Sequence, residues 1–171
     1  MEDWSLLPNC HAWIVRNIPA GATILSLGSG EGDARLSAAG YHMVCVEHSL
    51  EWLGRYPSIA YIHAPLKWHK PIAGYDHCSW YDAEIVNKAI KNLDYAAIIM
   101  DGPPGAEGRS GFLKYIDMFK HNVPFIFDDL HRQAERKLAN SVAARLNSPL
   151  VIYIESKHWG VVWKDKEIQW K

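Results

Sequence analysis

A glycine-rich turn stands between a predicted strand and a predicted helix near the start of the chain. The apolar run Ile24–Leu27 has the composition of a buried strand, and Gly28, Gly30 and Gly32 follow it. Residues 34–39 then have the composition of a helix. Backbone N–H groups at the start of a helix lack intrahelical partners, and glycines let a ligand approach them without a Cβ in the way. This turn is therefore a candidate ligand-binding site.

A carboxylate stands at the end of the next predicted strand. Residues 42–47 form a second apolar run, which ends at Glu47. At the carboxyl edge of a parallel sheet, an acid beside a glycine turn can accept hydrogen bonds from both hydroxyls of a ribose. Together the turn and the acid predict a site for a ribose-bearing cofactor.

Three further carboxylates follow two later strands. Asp101 ends a predicted strand at 96–100, and Asp128 and Asp129 end one at 124–127. Ligands of open parallel sheets bind at the carboxyl ends of the strands, so these acids converge if the two strands are neighbours. Three carboxylates in one place repel each other unless a hard cation neutralises them, and Mg²⁺ or Ca²⁺ prefers such oxygens. Two local alternatives stay open: a helix cap for Asp128 or Asp129, and a turn-stabilising role for Asp101.

The elements that position these residues alternate between strands and helices. Further strands are predicted at 59–63, 150–154 and 159–163, the last two forming a hairpin. The predicted helices cover residues 9–16, 32–39, 49–53, 83–92, 110–120 and 130–146. Residues 64–82 are predicted to be an irregular loop. The alternation predicts an α/β, doubly wound fold with a mostly parallel sheet of seven strands and a C-terminal antiparallel hairpin.

Composition and charge restrict the class of protein. With 171 residues, 49% hydrophobic and 22% charged, the chain is predicted to be one soluble globular domain over residues 1–171. A formal net charge of −1 argues against nucleic-acid or membrane binding through bulk charge. Cys10, Cys45 and Cys78 lack CxxC spacing, which favours free thiols in a reducing compartment. Because no apolar run approaches the ~20 residues of a membrane span, we expect a cytoplasmic protein.

The glycine spacing separates two classes of cofactor site. Nicotinamide enzymes need G-x-G-x-x-G, but here Asp33 stands where the third glycine of that pattern would fall. The run Leu27-Gly28-Ser29-Gly30-Glu31-Gly32 instead resembles the first motif of class I S-adenosylmethionine-dependent methyltransferases. Their sheet also ends in an antiparallel hairpin, so with Glu47 the resemblance covers nearly the whole chain.

The resemblance implies how S-adenosylmethionine would lie on the glycine turn. Gly28, Ser29 and Gly30 would contact its methionine part. Glu47, with His48 beside it, would hold the ribose.

Further cofactor contacts implied by the resemblance lie on later parts of the chain. Ala64 and Pro65 would border the adenine, Tyr81 would return over the pocket from the long loop, and Asp101 would face it. For Tyr81 an alternative stays open, because Trp80–Asp82 also fits an aromatic staple followed by a helix N-cap.

The three later acids are similar to those of metal-dependent O-methyltransferases that act on catechols and sugar hydroxyls. By that resemblance Asp101, Asp128 and Asp129 would hold Mg²⁺ or Ca²⁺, which lowers the pKa of a bound hydroxyl. The catechol-type enzymes carry a lysine three residues after the first acid, where this chain has Pro104. The candidate bases are therefore Asp101 itself and the side chains of Lys67, His69 and His131, the last of which directly follows the acid pair.

The predicted function is S-adenosylmethionine-dependent methyl transfer to oxygen on a hydroxylated small molecule or saccharide. Two other classes stay open: a cofactor-binding protein without methyl transfer, and a nucleotide-dependent oxidoreductase. N-methylation of a base or protein also stays open. A nucleic-acid acceptor is not favoured, because the run at 101–104 is Asp-Gly-Pro-Pro and not the Asn/Asp-Pro-Pro-aromatic tetrad of amino-methylating nucleic-acid enzymes.

Overall fold

A computed structural model describes residues 6–75, 79–105 and 108–164. Its nine strands are β1 (Thr23–Leu27), β2 (His42–Glu47), β3 (Ala60–His63), β4 (Leu66–Trp68), β5 (Ser79–Tyr81), β6 (Ala97–Met100), β7 (Phe125–Phe127), β8 (Leu150–Ile154) and β9 (His158–Val162). Seven of them form one sheet in the order β3-β2-β1-β6-β7-β9-β8. The first five in that order are parallel, and β9 runs antiparallel to both β7 and β8. The predicted α/β fold class and the C-terminal hairpin are confirmed.

The helices cover both faces of this sheet. They are α1 (Pro8–Asn17), α2 (Glu31–Ala38), α3 (Ala83–Ile90), α4 (Gly111–Lys114) and α5 (Gln133–Leu146), with a short 3₁₀ helix at Ile116–Met118. Parallel neighbours need crossover connections, and the crossovers place helices over the sheet. Helices α1 and α2 pack on one face, while α3, α4 and α5 pack on the other.

Alternation along the strands separates the core into two layers. In β6, Ile98 and Met100 point to the layer under α3, α4 and α5, while Ala97 and Ile99 point to the layer under α1 and α2. Because successive side chains of a strand face opposite sides, a strand buried on both faces is apolar throughout. This explains the continuous apolar runs in the sequence.

The segment predicted as an irregular loop at 64–82 is more regular than expected. Strands β4 and β5 pair antiparallel in a separate two-stranded sheet, with Lys67 opposite Trp80. Three-residue strands rich in aromatic side chains carry too little alternation to be recognised as a pair. The pair returns the chain towards the carboxyl edge of the main sheet, where Tyr81 ends β5.

Two predicted helices are wrong in part. Residues 49–53 form a turn, in which the backbone N–H of Trp52 donates to the carbonyl of Ser49 at 3.2 Å. The predicted helix at 110–120 is divided at Tyr115, whose backbone leaves the helical region between α4 and the 3₁₀ helix. Short segments lack enough hydrogen bonds to offset the cost of starting a helix, so local packing decides their conformation.

Two further observations concern the environment of the chain. Cys10 and Cys45 are buried free thiols, as predicted, whereas Cys78 lies outside the described residues. None of the described helices combines the length and the apolar composition needed to cross a membrane.

Candidate functional site

The glycine turn after β1 touches the backbone that follows β6. Gly28 has a φ of +103°, and its N–H donates to the carbonyl of Val46 at 2.9 Å. A Cβ at Gly28 would lie 3.1 Å from the nitrogen of Gly102 and 3.2 Å from the carbonyl carbon of Asp101. Both the positive φ and this close approach favour glycine. The turns after β1 and β6 are therefore in direct contact at the carboxyl edge of the sheet.

Gly102 completes this contact from the other side. A Cβ there would lie 2.8 Å from the Cα of Gly28 and would clash with the hydroxyl of Tyr81. The Tyr81 side chain is buried, and its ring meets that of His48 edge-on at 6.2 Å. The structure thus places Tyr81 above the point where the two glycine backbones meet.

Glu47 lies where the sequence places a ribose-binding acid. Its carboxylate is buried and accepts a hydrogen bond from the hydroxyl of Ser29 at 2.8 Å. The backbone N–H groups of His48 and Ser49 each donate to its other oxygen at 2.8 Å. These donors orient the carboxylate beside the glycine turn and leave one further lone pair on the oxygen bound to Ser29. Glu47 would accept from both ribose hydroxyls once the Ser29 hydroxyl turns away.

The residues predicted to border the adenine follow β3. The N–H of Ala64 donates to the carbonyl of Glu47 at 2.9 Å, and the carbonyl of Pro65 accepts from the N–H of Asp82 at 2.8 Å. Ala64 is fully buried, whereas Pro65 is exposed. The structure brings both residues to the edge at which Glu47 stands; their contact with adenine stays a prediction.

The alternative for residues 80–82 is confirmed for Asp82. Its side chain accepts a hydrogen bond from the N–H of Glu84 at 3.1 Å, which caps α3. This cap does not compete with a ligand role for Tyr81, whose hydroxyl lies beside Gly102.

Asp33 stabilises the glycine turn from inside the protein. Its carboxylate accepts a hydrogen bond from the N–H of Gly30 at 2.8 Å. Burial raises the pKa of Asp33 to about 6, and the hydrogen bond from Gly30 opposes that rise. The third glycine of the motif, Gly32, packs so closely on Leu6 that a Cβ would lie 2.7 Å from that side chain. Gly32 therefore serves packing rather than ligand contact.

Asp33→Asn should change how stability depends on pH. An aspartate in the unfolded chain has a pKa of about 3.8 and is ionised above about pH 4, whereas the buried carboxyl stays protonated up to about pH 6. Folding must therefore take up a proton in this range and becomes less favourable as pH rises from about 4 to 6. Asparagine stays neutral and can still accept from Gly30. We expect the stability of Asp33→Asn relative to wild type to rise by up to about 3 kcal/mol over this range.

Urea denaturation at several pH values measures this difference. The control is Asp117→Asn, because Asp117 is an exposed acid paired with Arg145. Its difference from wild type should stay within about 0.5 kcal/mol at every pH. If the stability difference between Asp33→Asn and wild type did not change with pH, the raised pKa of the buried Asp33 carboxyl would be contradicted.

The three later acids converge, as the sequence predicts. Strands β6 and β7 are neighbours, and Asp101, Asp128 and Asp129 each offer a carboxylate oxygen within 4.8 Å of the others. Asp128 and Asp129 are buried, whereas the Asp101 side chain is 27% exposed. Asp129 has a φ of 60°, a left-handed conformation that aspartate tolerates better than most residues. The backbone is thus bent so that two consecutive acids face one point.

The helix-cap alternative for Asp128 and Asp129 is wrong. Helix α5 begins after Arg132, and no side chain caps it. The carbonyl of Asp129 accepts from the N–H of Arg132 at 2.8 Å, so the backbone makes this turn. Among the described residues, none donates a hydrogen bond to the buried Oδ1 of the Asp128 carboxylate. A buried acceptor of this kind is costly unless a ligand or a proton satisfies it.

Two arginines that the sequence analysis missed lie beside the acids. Buried Arg109 donates to the carbonyls of Asp101 and Pro103 at 2.8 and 3.0 Å. Its Nη2 lies 3.6 Å from the Asp101 carboxylate and 3.8 Å from that of Asp129. Arg132 pairs with Asp129 at 2.9 Å. Arg109 therefore both fixes the loop after β6, which contains the cis Gly102–Pro103 peptide, and compensates part of the negative charge.

Burial and mutual repulsion make the acid cluster hard to ionise. Burial raises the pKa of Asp101 to about 8; Arg109 opposes this rise and Asp128 adds to it. Burial and the adjacent Asp129 also raise the pKa of Asp128. Both shifts are those expected when carboxylates share a poorly solvated site. The cluster therefore favours whatever cation or proton neutralises it.

The other candidate bases lie at different depths. Lys67 is 63% exposed and forms an ion pair with the capping acid Asp82 at 2.6 Å. His69 is buried, with its Nδ1 2.9 Å from the carbonyl of Lys70. His131 is exposed directly after the acid pair, and its ring meets that of His158 edge-on at 6.4 Å. The backbone of Asp101 packs against the glycine turn, where a Cβ at Gly28 would lie 3.2 Å from its carbonyl carbon.

Comparison with known proteins places the fold. No protein-family model matches the chain, and the search of curated proteins finds no similar sequence. Among solved structures, MycE of the mycinamycin biosynthetic pathway, in complex with Mg and SAH, matches at a TM-score of 0.58 and 13% identity. That match covers 92% of this chain and 45% of MycE, so the chain spans about half the length of that protein.

Two further structures cover most of both chains. A candidate caffeoyl-CoA O-methyltransferase from Staphylococcus aureus matches at a TM-score of 0.60 and 13% identity, over 93% of this chain and 84% of that one. A candidate rRNA methylase from Clostridium thermocellum matches at 0.54 and 9% identity, over 96% and 100%. At these identities the likeness concerns the fold, which all three share.

Proposed function

We propose that this chain, which has the fold of class I S-adenosylmethionine-dependent methyltransferases, transfers a methyl group from S-adenosylmethionine to oxygen. The observation that carries the proposal is one juxtaposition. The glycine turn and Glu47 lie at the same edge of the sheet as the three acids, and Gly28 touches the backbone of Asp101. A cofactor site and an acceptor-activating site would thus be in contact, within one domain over residues 1–171.

The residues around the glycine turn fit S-adenosylmethionine. Glu47 would accept hydrogen bonds from the ribose, beside His48, and Gly28, Ser29 and Gly30 would lie against the methionine part. Bound there, S-adenosylmethionine supplies a methyl group made electrophilic by its sulfonium. The protein's own contribution is alignment and deprotonation of the acceptor.

The donor set at the acid cluster fits Mg²⁺ or Ca²⁺. Carboxylate oxygens are the ligands that both cations prefer in proteins. Asp101, Asp128 and Asp129 each offer one such oxygen, and the three oxygens lie within 4.8 Å of one another. A bound cation would give the Oδ1 of Asp128 the partner that it lacks among the described residues. A cation held by Asp101, Asp128 and Asp129 would lower the pKa of an acceptor hydroxyl and orient it.

Three side chains remain candidates for removing the acceptor proton. Asp101 has a raised pKa and stands at the glycine turn, which suits proton transfer near neutral pH. His131 would serve from the rim of the cluster. Lys67 would first have to leave its ion pair with Asp82. We favour Asp101, with His131 as the second candidate.

A cavity that Arg109 lines is a candidate site for a small acceptor, because the same side chain lies 3.6 Å from the Asp101 carboxylate. It has a volume of about 240 Å³ and is lined in part by Arg109, Gln133 and Lys137. Pockets for drug-sized ligands measure about 300–1,000 Å³, so this one suits a single ring such as a monosaccharide or a catechol. Its lining combines apolar surface, as at Leu138, with polar side chains that could donate hydrogen bonds to the hydroxyl groups of an acceptor. Nucleic acid is not favoured, given the net charge of −1.

One observation favours a second mechanism without metal. Arg109 and Arg132 already place two positive charges beside the three acids. If they neutralise the cluster sufficiently, methyl transfer would use Asp101 as base alone. A protein that binds the cofactor without methyl transfer is the remaining alternative.

Turnover on a panel of acceptors tests the proposal. Production of S-adenosylhomocysteine is measured with monosaccharides and catechols, with and without Mg²⁺ or a chelator. We expect turnover with at least one hydroxylated acceptor and its loss with the chelator. Turnover that survives chelation would support the metal-free mechanism. Binding of S-adenosylhomocysteine without turnover on any acceptor would contradict methyl transfer to these classes.

We further propose that the protein works in the cytoplasm. The buried free thiols of Cys10 and Cys45 suit a reducing compartment.

A further inference from the structure

The hydroxyl of Tyr81 has no hydrogen-bond partner in the part of the chain that the structure describes. The Tyr81 side chain is 1% exposed, so water does not replace that partner freely. A buried hydroxyl without a partner costs free energy, and folding would favour phenylalanine at this position. The hydroxyl is therefore kept in a place where a ligand is the group that can satisfy it.

Its position identifies the part of the ligand that it would meet. The hydroxyl lies over Gly102, which is itself packed against Gly28. Glu47, the candidate ribose-binding acid, ends β2, which pairs with the strand β1 that leads into Gly28. A ligand with its ribose on Glu47 and its chain along the glycine turn would pass beneath Tyr81 just beyond the ribose. In an adenosyl amino acid, the sulfur occupies that position.

Glu47, Asp101 and Arg109 are among the ionisable groups that act on the Tyr81 hydroxyl. Burial raises the pKa of Tyr81, and the carboxylates of Glu47 and Asp101 raise it while Arg109 opposes them. The hydroxyl therefore stays protonated and neutral, with lone pairs on its oxygen. Such an oxygen attracts C–H groups polarised by an adjacent positive charge and gains little from a neutral thioether.

We propose that Tyr81 is a cofactor-binding residue that distinguishes the cationic sulfonium of S-adenosylmethionine from the neutral thioether of S-adenosylhomocysteine. This inference rests on the proposed function, because it assumes an adenosyl ligand on the glycine turn. It assigns Tyr81 a task beyond closing the pocket. The hydroxyl strengthens binding of the substrate over that of the product, which would otherwise compete for the same site.

Tyr81→Phe tests this assignment by calorimetric titration with three ligands. These are S-adenosylmethionine, S-adenosylhomocysteine and sinefungin, a stable analogue that carries a positive amine in place of the methylated sulfur. We expect the dissociation constant of S-adenosylmethionine to rise about fivefold and that of sinefungin, whose amine can donate a hydrogen bond, about tenfold. The dissociation constant of S-adenosylhomocysteine should change less than about twofold. The ligand-free variant should melt no lower than wild type, because an unpartnered hydroxyl has been removed.

The matched control is Tyr95→Phe. Tyr95 is also buried, but its hydroxyl accepts from the N–H of Lys120 at 2.8 Å, next to the start of β6 and thus at the opposite edge of the sheet. This variant should lose stability and keep all three affinities.

The outcomes separate the inference from the proposed function. Equal losses for all three ligands with Tyr81→Phe, or no change for any, would overturn the inference. A lower melting temperature of the ligand-free variant would overturn it too, since the hydroxyl would then have a structural partner. Wild-type protein that binds none of the three ligands would instead overturn the proposed function.

Discussion

Glu47→Gln should weaken binding of S-adenosylhomocysteine about a hundredfold. The carboxylate is buried beside the glycine turn and is oriented by Ser29 and two backbone N–H groups. A neutral amide cannot accept hydrogen bonds from both ribose hydroxyls with the strength of a carboxylate. Two hydrogen bonds to a charged group, at about 1.5 kcal/mol each, account for the expected loss. Calorimetric titration measures it.

Two variants control for indirect effects. Glu31→Gln makes the same substitution at an exposed position in the first turn of α2, where Glu31 pairs with Arg35. It should keep the wild-type affinity. Ser29→Ala removes one donor to Glu47 but leaves the carboxylate, so its loss should be several times smaller. Full affinity in Glu47→Gln would show that the ribose is held elsewhere.

The second large effect is expected at Asp128. Under the proposed metal-assisted mechanism, Asp128→Asn should lower turnover with Mg²⁺ at least about a hundredfold, because the site loses one of three charged oxygens. The metal-free variant should be more stable than metal-free wild type. Asparagine removes a buried negative charge whose Oδ1 has no partner and which stands beside Asp129.

Thermal melting distinguishes this account from metal-free neutralisation. Mg²⁺ or Ca²⁺ should raise the melting temperature of wild type and leave that of Asp128→Asn unchanged. Asp94→Asn is the control, because Asp94 is an exposed acid paired with Lys120. It should respond to the cations as wild type does. If neither cation raises the melting temperature of wild type, the positive charges of Arg109 and Arg132 neutralise the three acids in place of a metal.

Much of the fold follows from periodicity in the sequence. The buried strands read as continuous apolar runs, and β6 and β7 each end in acids because the carboxyl edge of the sheet is where the chain leaves the core. The pairing of β4 with β5 could not be predicted in this way, because three-residue strands are too short to show a period. The predictions of continuous helix at 49–53 and 110–120 were wrong for a related reason, because short segments take the conformation that packing selects.

Part of the candidate site could be predicted from the sequence, and part of it depends on packing. Convergence of Asp101 with Asp128 and Asp129 was predictable, because parallel neighbours bring their carboxyl ends together. Arg109 was not. It comes from a glycine- and proline-rich loop with no periodic pattern, and its contacts with backbone carbonyls appear only once that loop is folded. The unpartnered hydroxyl of Tyr81 is likewise a property of packing that residue type alone does not reveal.

A crystal structure with S-adenosylhomocysteine bound would show whether Glu47 and the glycine turn hold an adenosyl ligand. We predict that both ribose hydroxyls donate to Glu47 and that the sulfur lies over the contact between Gly28 and Gly102. A ligand bound away from this turn, with Glu47 still accepting only from Ser29 and the backbone N–H groups of His48 and Ser49, would contradict it.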